Sequence, residues 1–259
     1  MTESTREDHT RGYFKELTKT ALVRTLFDSA IVGGKPHERY LKALGMPPAF
    51  IAKGCDVVDN EFFLQGADAL RAAGRPSDGR LPERYFLFTG RLAEEKNVAA
   101  LIDAFTRHTQ SGGAWDLVIA GDGPLKAELL QRARETGCAP HVHFAGMKTA
   151  RELLPYYAFA GCFILPSTRE PWGLVVNEAM AAGLPVLVSR RCGCAEDLVQ
   201  TGNGFVFEPN DTAGMQALLR RVEGTEAKDL ACMGRRSREI IARYSLAHWA
   251  RQVERCLEA

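Results

Sequence analysis

From Tyr85 to Ser189, short apolar runs alternate with longer segments in which apolar residues recur every three or four positions. The short runs predict buried strands, and the wider spacing predicts amphipathic helices. Strands that alternate with helices predict an α/β fold built on a parallel sheet with helices on both faces. The strands are predicted at YFLFTG, WDLVIAG, HVHFAG, CFILP and LPVLVS, and the intervening helices at NVAALIDAFTRH, PLKAELLQRARETG, ARELLPYYAFA and VVNEAMAAG.

Glycine and proline mark several of these boundaries. Pro124 is predicted to begin one helix and Gly137 to end it, while Pro155 is predicted to disturb the next helix. The run GFVFEP follows the last of the predicted strands, and helical patterns continue to the C-terminus. In the last of these, SLAHWARQVERCLEA, four apolar side chains share one face, which predicts packing against the protein core. They are Leu246, Trp249, Val253 and Leu257.

The pattern before Tyr85 is less regular. SAIVGG predicts a short buried strand, PHERYLKALG predicts a helix that stops at Gly45, and FIAKGCDVVDNEFF predicts a strand followed by a loop. Residues 71–84 are rich in Gly, Pro and Arg, which is typical of a linker. We therefore expect three parts: residues 1–75, a main domain over residues 76–240, and a C-terminal helix over residues 241–259 that packs back towards the first part.

Composition narrows the class of protein. The chain has 259 residues, of which 46% are hydrophobic and 25% charged, as in a globular protein. The formal net charge of +1 gives no reason to expect nucleic-acid binding. The seven cysteines form no CxxC pair, and the polar N-terminus lacks the apolar core of a signal peptide. We expect a cytoplasmic protein, with peripheral contact to the inner membrane face as a further expectation.

Chemistry is expected in the loops that follow the strands, because ligands of open parallel sheets bind outside the carboxyl ends of the strands. The loop TGRLAEEKN carries Gly90, Arg91 and Lys96. Gly90 lets the backbone approach a ligand closely, Arg91 can make a forked contact, and Lys96 supplies a point charge, which together suit a diphosphate. From spacing alone, the interpretation as two solvated surface cations is slightly favoured.

The sequence predicts no metal site and no dinucleotide fingerprint. In GDGPLK, Lys126 stands where a third glycine is needed, so Gly121 belongs to a glycine turn that feeds a helix. His141 and His143 share one face of a strand, but further metal ligands at suitable spacing are missing. No Asp-x-Asp pair, a common clamp for Mg²⁺ on a sugar nucleotide, occurs in the chain.

Two glutamates stand eight positions apart where the strand CFILP runs into a loop and then a helix. Glu170 lies in the loop, Gly173 precedes the helix, and Glu178 lies just over one turn inside it. The start of a helix favours a phosphate, and the two carboxylates could accept hydrogen bonds from two sugars on either side of a diphosphate. The spacing is explained equally well without a ligand. In that interpretation Glu178 complements the dipole of its helix, and Glu170 is an exposed loop residue.

Several of these runs together resemble one known family. FTGRLAEEKN, VIAGDGPLK, VHFAGM, FILPSTREPWGLVVNEAMAAGLPVL and GNGFVFEPND are similar, in order, to the donor-binding C-terminal domain of family 4 glycosyltransferases. Those are retaining enzymes of the GT-B class, which has two Rossmann-like domains. The resemblance covers about residues 85–225, and its best-known element is the E-x₇-E spacing from Glu170 to Glu178. The chain departs from the family at CGCAE, residues 192–196, where a Gly-Gly pair often precedes a Glu.

The resemblance implies a role for each of these residues and a metal-independent transfer of a sugar with retention of configuration. The donor is a UDP- or GDP-linked sugar, and no cofactor is implied. Arg91 and Lys96 hold the diphosphate and stabilise it as it leaves, Glu170 contacts the transferred sugar, and Glu178 binds the ribose. The implied contacts to phosphate or base come from Gly90, Gly121, Phe144 with the loop after it, Gly173, Leu174 and Val175.

The N-terminal part is the main departure from this family. About 80 residues resemble only the last portion of its acceptor-side domain, without the glycine-rich acceptor loop or the usual catalytic histidine. His37 could substitute for that histidine, but its position is more typical of a residue in the first turn of a helix. One hypothesis is a polysaccharide-building glycosyltransferase that acts on an unidentified glycan or lipid-linked acceptor. The alternative is a nucleotide-sugar-binding module that needs a partner chain. A homodimer or a partner chain is expected to cover the incomplete N-terminal sheet.

Overall fold

The computed structural model describes residues 13–77, 79 and 81–258. Helices and strands alternate along most of this length, with a parallel sheet at the centre. The helices are α1 (Tyr13–Leu26), α2 (Lys35–Ala43), α3 (Asn60–Ala73), α4 (Val98–Gln110), α5 (Lys126–Glu135), α6 (Ala150–Phe159), α7 (Leu174–Ala181), α8 (Ala195–Leu198), α9 (Thr212–Glu223), α10 (Ala227–Ile241) and α11 (Leu246–Leu257). The strands are β1 (Ala30–Val32), β2 (Ile51–Lys53), β3 (Tyr85–Thr89), β4 (Asp116–Ala120), β5 (Val142–Phe144), β6 (Cys162–Leu165), β7 (Val186–Ser189) and β8 (Gly204–Phe207).

Six of the strands form one parallel sheet in the order β5-β4-β3-β6-β7-β8. All five residues of β3 and all four residues of β6 are buried, because helices cover both faces of the sheet. The predicted α/β fold with a parallel sheet is thereby confirmed. In this strand order, β3 and β6 are neighbours. From β3 the chain continues to β4 and β5 on one side of the sheet, and from β6 it continues to β7 and β8 on the other side. The carboxyl ends of β3 and β6 are the topological switch point at which such sheets bind ligands.

The N-terminal part forms a second, two-stranded parallel sheet from β1 and β2. The C-terminal helix α11 lies against this sheet: Trp249 and Val253 pack on Ile31 and Ala52. The prediction is wrong for the two ends of this helix, where Leu246 and Leu257 are exposed. The helix α3 packs on α6 and α7 of the main domain and contributes Phe63 to the large core. The first and last parts of the chain thus meet each other, and both contact the domain that carries the six-stranded sheet.

Three further details of the sequence analysis are wrong. The predicted loop after residue 59 is the start of α3, whose first turn is capped when the Asp59 carboxylate accepts a hydrogen bond from the Phe62 amide at 3.1 Å. This helix runs to Ala73, so it occupies the beginning of the predicted linker. The helix α5 begins at Lys126 rather than at Pro124. Pro155 lies inside an uninterrupted α6, which begins at a capping box formed by Thr149 and Glu152.

No helix in the part of the chain that the structure describes is both long enough and apolar enough to cross a membrane.

Candidate functional site

The loops that follow β3 and β6 meet at the switch point and hold each other in place. The Thr168 amide donates to the Glu95 carbonyl at 2.9 Å, and the Asn97 side-chain amide donates to the Pro166 carbonyl at 3.1 Å. Asn97 adopts a left-handed conformation with φ 56°, at the point where the loop turns into α4. These bonds fix the relative positions of the two loops in which the sequence predicts most of the site residues.

A cleft of about 680 Å³ opens beside these loops, over the ends of β3 and β4. Five of the predicted site residues line it, although they come from three separate segments of the chain. They are Gly90, Arg91, Gly121, Val175 and Glu178. We call this space the first cleft; its remaining lining is Thr89, Ala120, Asp122, Gly123, Pro124, Met147, Lys148, Ala150 and Leu153.

Two glycines allow the loops that form the floor of the first cleft to come close together. A Cβ atom on Gly121 would lie 1.8 Å from the Gly90 carbonyl oxygen, and one on Gly123 would lie 2.4 Å from the Leu92 carbonyl oxygen. The backbones of the two loops are also joined by a hydrogen bond from the Leu92 amide to the Asp122 carbonyl at 2.9 Å. The sequence GDG is therefore required here for the close approach of two backbones.

Glu178 is held by a short chain of hydroxyl groups. The Tyr157 hydroxyl donates to the Glu178 carboxylate at 2.7 Å and lies 3.0 Å from the Thr89 hydroxyl. Burial raises the pKa of Glu178 above its usual value, and the hydrogen bond from Tyr157 opposes that shift. Burial and the neighbouring carboxylate raise the pKa of Tyr157 well above its ordinary value, so Tyr157 stays a protonated donor.

Lys96 and Glu170 form an ion pair at the boundary between the β3 and β6 loops. Both side chains are largely buried, with 18% and 13% of their surface exposed, and the Ser167 hydroxyl donates to Glu170 at 3.3 Å. Arg91 lies apart from this pair, exposed in the lining of the first cleft. The structure therefore pairs Lys96 with Glu170, while Arg91 and Glu178 line the first cleft.

The start of α7 lies directly after the Glu170 loop. Gly173 precedes the helix with φ 109°, a left-handed conformation that favours glycine, and Val175 reaches the first cleft from the first turn. Leu174, with 43% of its surface exposed, is outside the lining of that cleft. The positive end of the helix dipole thus lies between Glu170 and the first cleft.

The segment CGCAE departs from the resembled family but supports the Glu170 loop. The Gly193 amide donates to the Glu170 carbonyl at 2.9 Å, and the Cys194 amide donates to the Trp172 carbonyl at 3.2 Å. A Cβ atom on Gly193 would lie 1.8 Å from the Pro171 carbonyl oxygen, so this position requires glycine. Burial raises the pKa of the Cys192 thiol, which makes it an unreactive packing residue.

Phe144 is placed differently from the other predicted site residues. Its side chain is half-buried against the main core and is not part of the lining of the first cleft. The loop that follows it contributes Met147 and Lys148 instead. The sequence analysis also missed Tyr157 and Thr89 as partners of Glu178, because nothing near Tyr157 in the sequence marks its contact with the site.

The three histidines considered in the sequence pack against or hydrogen-bond to other side chains of the fold. His37 is fully buried in the first turn of α2, with its ring 6.1 Å from that of Trp172. His141 and His143 both hydrogen-bond to the carboxylate of Asp116, at 2.9 and 2.7 Å. Within the described ranges, no group of three or more His, Cys, Asp or Glu side chains is placed to hold a metal ion.

Comparison with solved structures shows the same fold as in GT-B glycosyltransferases. Anabaena HepE in complex with UDP has a TM-score of 0.78 at 18% identity, over 98% of this chain and 71% of that one. Sucrose-phosphate synthase from Thermosynechococcus elongatus has a TM-score of 0.76 at 23% identity, over 99% of this chain and 64% of that one. Because both sequence identities are low, these similarities show only that the fold is shared.

Sequence comparison shows the family. Glycogen synthase of Mycobacterium tuberculosis is 36% identical over 160 residues, which is 61% of this chain but 38% of that protein. The sulfoquinovosyl transferase SQD2 of Arabidopsis thaliana is 32% identical over 192 residues, 72% of this chain and 36% of that protein. The alignments thus span less than half the length of these relatives. The sequence profile "Glycosyl transferases group 1" matches residues 75–239, and the chain therefore belongs to that family.

Proposed function

We propose that this protein transfers a sugar from a nucleotide diphosphate sugar to an acceptor, with retention of configuration and without a metal ion. The observation that carries the proposal is the first cleft. Beside the switch point of the sheet it combines an exposed arginine, a carboxylate held by a buried tyrosine, and a floor of glycines where two loop backbones approach each other closely.

The first cleft suits a nucleotide and its diphosphate. Glu178 can accept hydrogen bonds from the two ribose hydroxyls, since Tyr157 leaves part of the carboxylate available. Arg91 can make a forked contact to phosphate oxygens, and the start of α7 adds backbone amides and a positive dipole end. HepE was solved with UDP, which makes UDP-sugars the first donors to test, followed by GDP-sugars.

The Lys96–Glu170 pair suits the reacting end of the donor. Negative charge grows on the departing phosphate oxygen as the bond to the sugar breaks, and an ammonium group beside it stabilises that charge. Glu170 can accept hydrogen bonds from hydroxyls of the sugar while it holds Lys96 in position. In this mechanism the cations supply the stabilisation that a divalent metal supplies in other transferases.

Two measurements test the proposal. Calorimetric titration with a panel of UDP- and GDP-sugars should find one that binds, and release of the nucleotide diphosphate from that donor should continue in the presence of EDTA. The anomeric configuration of the product, read by NMR, should match that of the donor. Absence of binding across the panel contradicts the assignment of the first cleft, and activity abolished by EDTA contradicts metal independence.

Replacement of the cations should separate transition-state stabilisation from binding. We expect Arg91→Ala and Lys96→Ala to lower turnover by about 100-fold, with a smaller effect on donor affinity, because the charge that they contact grows in the transition state. Exposed Arg134 on α5 lies outside the linings of the clefts described and provides the matched control Arg134→Ala. Unchanged turnover in both site variants contradicts the role given to these cations.

A further inference from the structure

A second cleft, of about 600 Å³, lies at the amino ends of the strands of the six-stranded sheet. The residues directly before four strands line it: Arg84 before β3, Trp115 before β4, Gly161 before β6 and Pro185 before β7. Because these strands are parallel, their amino ends share the edge of the sheet that is opposite to the switch point. Parts of α3, α6 and α10 complete the walls, and the described linings of the two clefts have no residue in common.

Arginine dominates the charge of the second cleft. Glu226, one of its three carboxylates, is paired at 2.8 Å with Lys228, which lies outside the lining. The charged side chains of the lining are Arg71, Arg75, Arg84, Arg235 and Arg238, together with Asp68, Glu83 and Glu226. The second cleft therefore carries more positive than negative charge.

Two of these arginines share a single carboxylate. Arg238 donates to Asp68 at 2.6 and 3.0 Å, and Arg71 donates to the same group at 3.2 Å. The hydrogen bond from Arg238 holds the pKa of Asp68 below its usual value, so this carboxyl group is ionised at neutral pH. Burial and the nearby charge of Arg238 lower the pKa of Arg71, although the guanidinium stays charged. One carboxylate thus offsets only part of the positive charge around it.

Two arginines are fixed in place at the end of α6. The Arg71 side chain donates to the Ala158 carbonyl at 2.8 Å, and Arg75 donates to the Phe159 carbonyl at 3.0 Å. These bonds satisfy carbonyls that the end of a helix leaves without an intrahelical partner. Because a guanidinium carries five N–H donors, both groups keep further donors on this wall of the second cleft.

Two other arginines are exposed to solvent within the same lining. Arg84 lies directly before β3, and Arg235 lies in the third turn of α10. Arg235 contacts the sulfur of Cys232 at 2.8 Å, and a thiol is a weak acceptor. Exposed guanidinium groups with available donors suit the oxygens of a phosphate, which arginine contacts with paired hydrogen bonds.

The remaining lining is largely apolar. Trp115, Leu184 and Pro185 are buried, while Phe159 and Leu230 are half-buried. The guanidinium of Arg75 lies 5.0 Å from the centre of the Phe159 ring, so charge and aromatic surface are adjacent. An inorganic anion leaves this apolar surface without a contact, whereas an organic phosphate covers it.

We propose that the second cleft binds a small phosphate ester, with its phosphate held by Arg84 and Arg235 and its organic part packed beside Trp115 and Phe159. The inference goes beyond the proposed function and does not depend on it, because the two clefts lie at opposite edges of the sheet. Sugar phosphates and nucleoside monophosphates share this chemistry, and the test below distinguishes them.

The probes are glucose 6-phosphate and AMP, their neutral counterparts glucose and adenosine, and inorganic phosphate, each titrated into the whole chain by calorimetry. At least one ester should bind about tenfold more tightly than its neutral counterpart, since one hydrogen bond to a charged group contributes about that factor. The same ester should bind more tightly than inorganic phosphate, because it also buries apolar surface. The ester that binds more tightly identifies the organic part.

Variants assign the binding to one cleft. Arg84→Ala and Arg235→Ala should each weaken ester binding by about tenfold, whereas Arg91→Ala, in the first cleft, should leave it unchanged. Arg236 follows Arg235 on α10 but lies outside the lining and contacts Glu239 at 2.9 Å, so Arg236→Ala is the matched control and should bind like the wild type. Arg235→Lys keeps the charge without the forked geometry and should retain part of the affinity.

Thermal melts of each variant show that a loss of binding is not a loss of folding, since exposed side chains contribute little to stability. The proposal is overturned if neither ester binds, or if the esters bind no more tightly than inorganic phosphate or the neutral counterparts. Ester affinity that Arg84→Ala and Arg235→Ala leave unchanged, or that Arg91→Ala abolishes, assigns the binding elsewhere and overturns it as well.

Discussion

Glu178 combines a buried position with a task that requires charge. Burial raises its pKa, so at neutral pH the folded protein holds an ionised carboxylate at some cost in stability. For a group whose pKa is raised on folding, the stability that it contributes is present at low pH and is lost as the pH rises through the folded-state pKa. The same ionised form is the one that can accept two hydrogen bonds from ribose hydroxyls.

We therefore predict that Glu178→Gln stabilises the free protein and weakens donor binding. At pH 7 its melting temperature should equal or exceed that of the wild type, and the difference should shrink as the pH falls below the pKa of Glu178. Donor affinity should drop by about tenfold or more, with little dependence on pH. Thermal melts and calorimetric titrations between pH 5 and about pH 8, the range in which proteins are usually most stable, measure both quantities.

Tyr157→Phe serves as the companion variant. It removes the hydrogen bond that opposes the burial effect, so the pKa of Glu178 should rise further and donor affinity should begin to fall at a higher pH than in the wild type. A purely structural role for Tyr157 predicts lower stability with an unshifted pH profile. An unshifted profile in Tyr157→Phe therefore contradicts the role given to this hydroxyl.

The sequence predicted the parts of this site that are close together in the chain. Glu170, Gly173 and Glu178 lie in one continuous segment, and the strand-to-helix transition that places them follows from the apolar pattern. The hydrogen bonds of Tyr157 join it to residues 21 and 68 positions away. Such contacts arise from the packing of α6 beside α7 and β3, and no local pattern in the sequence encodes them.

At the scale of elements, helix α3 was missed because its local signals conflict. Gly66 stands in the middle of it, and a Gly, Pro and Arg-rich stretch follows directly, both of which lower the expectation of a helix. Tertiary packing decides instead: Phe63 and Ala67 are buried in the main core. Gly66 lies against Leu154 of α6, where a Cβ atom would come within 2.7 Å of that side chain.

The two loops over β3 and β4 offer a test of how elements position the first cleft. In Gly121→Ala, the new Cβ atom would overlap the Gly90 carbonyl oxygen, so the loops must separate. We expect a loss of about 1–3 kcal/mol in the free energy of unfolding, together with weaker donor binding. Urea denaturation and donor titration measure the two effects.

Gly224→Ala is the matched control for this element. Gly224 ends α9 with φ −76°, and its nearest contact for a Cβ atom is 3.3 Å away, so the substitution should change stability little. If Gly121→Ala leaves both stability and donor affinity at wild-type values, the close approach of the two loops is not what shapes the first cleft.

At the scale of the whole molecule, the described N-terminal part exposes more large apolar side chains than the main domain does. Its sheet has two strands. The side chains of Leu22, Leu26 and Phe27 are 44%, 67% and 59% exposed on or just after α1. Contiguous exposed apolar surface is typical of a region that another protein surface covers.

We therefore predict that the protein self-associates through α1. The wild type should show a concentration-dependent rise in mass by sedimentation velocity, because burial of these side chains removes apolar surface from water. Leu22 and Leu26 lie one helical turn apart on the same face of α1, so the double variant Leu22→Glu with Leu26→Glu should remain monomeric over the same concentrations. Leu257, 83% exposed at the end of α11, provides the control Leu257→Glu, which should associate like the wild type. A wild type that stays monomeric at every concentration contradicts this prediction and leaves α1 without a role in self-association.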